Sequence, residues 1–370
     1  MLNTVAFIES IEPDFEYQGL EGAMSLVVEN AENFAIINDV IDEGADIAEE
    51  EVYTEGVVGS VAKYVRKAIE WIIKNIKKAI AKLKSLFLSL VHKLKMAYLS
   101  AMRSIGKFAA KNLVSKNGGA VKVKWFKLKE GAFGELCGAM ADNIKSFAAE
   151  CESKIEGGGA FTITTDRVAA DRAAIDKAIE TDKQFNKAKF IKARLKELTH
   201  NKKEAGELFT AEESATARSS ALKDLYEKSL VKGVNKVYKT MMKANDHLLK
   251  AAAKAEKVIN KDKSLRGEEN FGKKEKLHIS RPKLIIKGLN AAVHSVISLN
   301  TALFATVYRT SVFALHQNIK ATVYAIKRTV MGDDAYKTSK EARKEVKEKM
   351  KEANKPGGFG ESADIEDILA

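Results

Sequence analysis

The chain has 370 residues, 45% of them hydrophobic and 30% charged, and a net charge of +12. This content excludes a wholly disordered chain, and the length suffices for two or three domains or one elongated helical body. The charge is unevenly spread: residues 1–55 hold fifteen carboxylates and no Lys or Arg, while 56–356 carry all 62 basic residues against 31 acids. Such asymmetry points to nucleic acid, a membrane surface or an internal electrostatic mask.

The acidic leader, 1–55, contains short apolar runs around Met24–Val28 and Phe34–Ile37, enough for one or two weak helices. Its start lacks the basic region of a secretory signal and is too acidic for a mitochondrial presequence. Composition then inverts: 56–129 hold eighteen Lys and Arg and one acid, Glu70. Between 60 and 112, apolar residues recur every three or four positions, from Val61, Val65 and Ile69 through Leu83 and Leu90 to Ile105. That period predicts one long amphipathic helix, with Ser60 as a candidate N-cap. Lys63, Arg66, Lys67, Lys74, Lys77, Lys78, Lys82 and Lys84 fill its other face and are the candidate anion-binding residues.

After Asn117-Gly-Gly, the alternation Val121-Lys-Val-Lys-Trp125 predicts a strand, with Ala160–Thr164 as its expected partner and a helix over 134–155 between them. Two strands alone form a marginal sheet, so this pair is expected to decorate a helical body. The region 130–275, nearly balanced in charge, is expected to contain a helical hairpin over 166–262, its second arm opening at the capping-box spacing Thr210-Ala-Glu-Glu213. The region 276–332 reads as a second long basic and apolar helix, started by Ser280-Arg-Pro282 and free of acids between Glu275 and Asp333. The region 333–370 is a charged helix, stopped by Pro356-Gly-Gly, and an acidic tail. The expected fold is therefore mainly α: an elongated helical bundle with two long basic amphipathic helices, a helical hairpin and at most a small two-stranded β element.

The chemistry-bearing residues form no familiar pattern. The six histidines stand singly, without HExxH or CxxC spacing, and Gly118-Gly and Gly157-Gly-Gly lack the P-loop pattern. Cys137 and Cys151 lie fourteen residues apart in one predicted helix, about 21 Å at 1.5 Å per residue, too far for a bridge. The expectation is a non-enzymatic protein with no cofactor and no metal. The run of like charge is different. Lysines at i and i+4 repel, so a face with almost no acids implies a counter-charge: DNA or RNA phosphate, anionic lipid, or the chain's own leader. Residues 288–308 carry no formal charge and have the length of a membrane span, but Asn290, His294, Ser298 and Asn300 interrupt them. If this helix packs on 60–112, both apolar stripes are covered and both basic faces turn outward, which favours nucleic acid. If it does not, each is a cationic helix suited to a membrane interface. With no row of aromatics for base stacking, nucleic-acid contact would be phosphate-driven and non-specific.

This plan resembles the internal head proteins of large tailed bacteriophages. The matching features are the acidic leader, the junction Val52-Tyr-Thr-Glu55-Gly56, and the cationic run from Tyr64 to Lys78. The resemblance implies a structural virion protein made in the host cytoplasm that ends in the head interior beside packaged DNA. It also implies other virion proteins as partners, and a phage maturation protease that removes the leader by cutting between Glu55 and Gly56. The alternative is a membrane-active cationic helical protein acting on anionic bilayers.

Overall fold

The computed structural model describes residues 23–42, 55–110, 119–129, 132–156, 172–200, 204–261 and 280–353. In chain order the elements are α1 (23–42), α2 (Glu55–Ala110), β1 (Val121–Leu128), α3 (Ala132–Glu156), α4 (Arg172–Thr181), α5 (Lys183–His200), β2 (Gly206–Glu213), α6 (Ala215–Asp224), a π-helical turn (Leu225–Leu230), α7 (Val231–Asn260) and α8 (Ser280–Ala353). The described chain is mainly helical, with a small two-stranded antiparallel sheet, β1 paired with β2.

Helix α2 follows its sequence period closely. Ile72, Ile76, Leu83, Leu90 and Leu94 are fully buried at spacings of four and seven, the mark of one continuous inward stripe. That stripe faces α7 and α8, and Phe87 meets Phe304 edge-on at 5.1 Å. Helix α8 is the axis of the molecule and touches α2, α3, α5, α6, α7 and β1. Every residue from Pro282 to Val293 is buried, the polar Lys283, Lys287 and Asn290 included. Its segment Pro282–Ile326 is long and apolar enough to cross a membrane, but 72% of its most apolar window is covered by the rest of the protein.

Several expectations need correction. The two long helices do pack together, yet α8 turns no basic face outward near its start. Lys283 and Lys287 are 4% and 2% exposed, because neighbouring helices surround them; Asp42 pairs with both, and Asp176 of α4 stands 3.9 Å from Lys287. The partner of β1 is 206–213, in register Trp125↔Phe209; the segment 160–164 lies outside the described residues. The supposed capping box at Thr210–Glu213 is the end of β2. Helix α6 instead takes Ser214 as N-cap, whose hydroxyl accepts from the Ala217 N–H at 3.1 Å. Phe209 stabilises the strand assignment by packing edge-on against Trp125 at 5.2 Å. At the other end of the ribbon, Gly206 is required: a Cβ there would stand 2.4 Å from the Lys127 carbonyl.

The hairpin also rearranges. The main partner of α7 is α3, while α5 lies on α8 and α3. Small residues explain the choice: Ala244, Ala251, Ala252 and Ala255 on α7 and Ala141 and Ala148 on α3 are all fully buried and permit close approach. The charged segment expected as a separate helix from 333 continues α8 through Gly332 without a break. A single glycine costs a helix about 1 kcal/mol, which the flanking helix formers absorb.

Candidate nucleic-acid interface

Of the eight predicted anion-binding residues, Lys63, Arg66, Lys67, Lys74, Lys77, Lys78 and Lys84 are exposed and Lys82 is half-buried, all on the outer side of α2. The inward apolar stripe sets this arrangement, because the 3.6-residue period sends the remaining positions to solvent. Lys67 lies over the Trp71 ring at 5.5 Å. For Lys63, Arg66, Lys67, Lys74, Lys77 and Lys84, no carboxylate among the described residues stands within ion-pair distance. Elsewhere some lysines are matched, Lys187 with Glu150 at 2.6 Å, Lys154 with Asp182 at 3.0 Å and Lys254 with Glu152 at 2.6 Å, while others, such as Lys232, Lys239 and Lys243 on α7, stand exposed as those of α2 do.

The other two candidates, Lys78 and Lys82, are held by the leader. Glu29 on α1 pairs with Lys78, and with Lys82 at 3.5 Å, while Lys82 donates to Ser25 Oγ at 2.8 Å. The Lys78 hydrogen bond, aided by the charges of Lys78 and Lys82, lowers the Glu29 pKa against the opposing effect of desolvation.

Helix α1 occupies the groove between α2 and α8, and its sequence shows how. Ser25, Glu29 and Asn33, four residues apart, lie along α2, where Asn33 Nδ2 donates to Asn75 Oδ1 at 3.1 Å. Asn30, Phe34, Asn38 and Asp42, again four apart, lie along α8. Asn30 Nδ2 reaches His294 Nδ1 at 3.1 Å, the His294 carbonyl at 3.1 Å and Ser298 Oγ at 3.3 Å. Asn290 Nδ2 donates to the Phe34 carbonyl at 3.0 Å and Asn38 Oδ1 at 3.1 Å, and Asp42 meets Lys283 and Lys287 at 3.1 and 3.0 Å. Between the two lines, Leu26, Ile37 and Ile41 are buried. Residues four apart share a helix face, so two such lines make a helix that bridges two neighbours. Composition alone hid this pattern; the two four-residue spacings were the available signal.

His294 also stacks on Phe34, ring centroids 4.7 Å apart. Burial, with the Lys192 charge, holds its pKa below 6.5 against the raising effect of a hydrogen bond to the Asn30 backbone. Beside it lies a cavity of about 310 Å³ lined by Phe34, Phe185, His294 and Ser298, with Lys189 and Lys192 also on its wall.

The predicted processing residues Glu55 and Gly56 form the first turn of α2, so the helix begins before the expected cap at Ser60. Helical hydrogen bonding spreads back from the strongly periodic residues that follow, and Ser60 becomes an interior position rather than a cap. The Glu55–Gly56 bond therefore sits at a helix N-terminus, where the first N–H groups have no intrahelical partners. Among the described residues, no group of three His, Cys, Asp or Glu is placed to hold a metal ion. Both cysteines are free and buried, and burial pushes each thiol up to about 12. Comparison with protein-family models, with curated proteins and with solved structures finds no match to this chain.

Proposed function

We propose that the chain is an internal head protein of a large tailed bacteriophage, a non-enzymatic structural component of the virion. The outer face of α2 contacts packaged DNA through phosphates, without sequence preference. The observation that carries this reading is the row of Lys63, Arg66, Lys67, Lys74, Lys77 and Lys84, exposed and without carboxylate partners among the described residues. Like charges at helical spacing destabilise the free protein slightly, and a polyanion relieves that repulsion. The packing of α2 on α8 supports the same reading, since both apolar stripes are used inside the molecule.

In this reading the leader acts before assembly. Through Glu29 it occupies Lys78 and Lys82, and the maturation protease then cuts between Glu55 and Gly56, other virion proteins holding the product in the head. The whole chain carries +12 and residues 1–55 carry −15, so the product from Gly56 carries +27. Peptide mapping of purified particles tests the assignment. The expected result is peptides from 56–353 with a new N-terminus at Gly56; absence of the protein from particles would overturn it.

A second reading has its own support. Trp71, Leu88, Met96 and Leu99 are 37%, 61%, 51% and 36% exposed on α2, and apolar side chains among lysines suit an anionic bilayer. Flotation with anionic vesicles, together with failure to bind duplex DNA, would make this the better account.

A further inference from the structure

We infer that the groove between α2 and α8 is itself a binding site for one phosphodiester strand, held closed by α1, whose Glu29 and Asp42 stand where phosphates would lie. This rests on the DNA-binding reading and adds a second contact to it. Four lysines define the site: Lys78 and Lys82 at one end, Lys283 and Lys287 at the other. The last two are 4% and 2% exposed, and an uncovered outer face could not reveal them. Burying two ammonium groups at a helix–helix seam is costly unless a charge meets them. Apolar residues would seal the same seam more strongly, which argues that the lysines serve a state in which α1 is absent.

The dimensions fit one strand. Glu29 and Asp42 are thirteen residues apart, about 20 Å along the helix, or about six nucleotide steps at the 3.4 Å axial spacing of one DNA strand. A helix is about 10–12 Å across with its side chains, so a groove shaped to it takes a single backbone. The seam is also suited to exchange. Its contacts with α8 are largely amide, hydroxyl and ionic, and Asn30 Oδ1 and Asn290 Oδ1 find no hydrogen-bond partner among the described residues. A phosphate strand offers the same amides and lysines an acceptor at every step.

The test tethers and releases α1 in the full chain. Asn33→Cys and Asn75→Cys place thiols on residues that touch across the seam. A short bis-thiosulfonate joins them, and a reductant parts them; the native cysteines, buried with thiols raised to about 12, do not react. Two probes are used, a mixed-sequence single-stranded oligonucleotide and a mixed-sequence duplex. Release should strengthen oligonucleotide binding and steepen its salt dependence by roughly 3 in log–log slope, about 0.7 for each of the four lysines on a single strand. Glu29→Gln with Asp42→Asn should do the same without cross-linking, and Lys283→Gln with Lys287→Gln should remove about half of the gain. If duplex binds but the oligonucleotide binds equally to tethered and released protein, the groove is not a site and the α2 face stands alone. If neither probe binds in any state, both readings fall.

Discussion

Helix α1 and helix α7 are both packed against long neighbours, but by opposite means. Helix α7 meets α3 with Val234, Val237, Met241, Leu248 and a run of alanines, all fully buried, and polar contacts such as His247–Glu152 and Lys254–Glu152 lie at the margin. Helix α1 buries a few aliphatic side chains and otherwise meets α8 through Asn30, Asn38 and Asp42. Apolar contact stabilises in proportion to area, whereas a hydrogen bond exchanged for one to water contributes only about 1 kcal/mol. The first interface is built to persist. The second is specific in register and rests on contacts that each contribute little.

The comparison is broken most severely from the α7 side. Leu248→Ala removes a fully buried side chain from a close-packed interface and should lower global stability by about 2–5 kcal/mol. Urea unfolding should show a lower midpoint for the whole chain. If only a local region loosens, α3 and α7 are not the persistent core proposed here.

Asn30→Ala comes next. It deletes three donor contacts to His294 and Ser298 and should weaken α1 docking by about 1–2 kcal/mol. Amide exchange should accelerate within 23–42 and stay unchanged in α7. Equal acceleration in both would show that α1 and the core open together.

The third test uses pH. Asn30 Nδ2 can only donate, so its contact needs His294 Nδ1 unprotonated. Burial, reinforced by Lys192, holds the His294 pKa below 6.5. The undocked state therefore binds more protons as pH falls, and docking that is intact above about 6.5 weakens on descending toward the lower folded value. Ile37→Cys, 1% exposed in the native residue, should react faster with a thiosulfonate as pH falls from 7 to about 5, after normalisation to a free thiol. His294→Asn should remove that dependence; if it persists, another group controls the seam.

The sequence made α2 legible because a single period, sustained over more than fifty residues, had one physical solution. Charge along α2 was equally legible, since the sign of a solvent face is independent of tertiary detail. The β2 strand was not, because Thr210-Ala-Glu-Glu213 satisfies a capping rule and the strand, mostly exposed, carries no alternation to announce it; pairing with β1, distant in sequence, decides. Lys283 and Lys287 looked like surface groups because nothing local announces that other elements, α1 among them, will surround α8. The leader was read by net charge, which obscured the spacing of its asparagines; a docking surface lies in where polar groups recur, not in how many there are.

The smallest expected effect separates the two kinds of lysine by sign. Lys187 is matched by Glu150 at 2.6 Å, both partly exposed, so Lys187→Gln should cost between nothing and about 1 kcal/mol. Lys77 follows Lys74 by three residues on α2, with no acid three or four residues away on either side and no carboxylate partner among the described residues. Lys77→Gln removes like-charge repulsion and should stabilise by about 0.2–0.5 kcal/mol at low salt. At 1 M salt the screening length falls to about 3 Å and this gain should vanish. The same substitution should reduce the salt slope of duplex binding by about 0.9 if Lys77 meets a phosphate. Thermal unfolding at two salt concentrations and one binding titration give all three values. A Lys77 variant that is destabilised at low salt would mean that this face already has a counter-charge within the chain, and the case for an external polyanion would lose its basis.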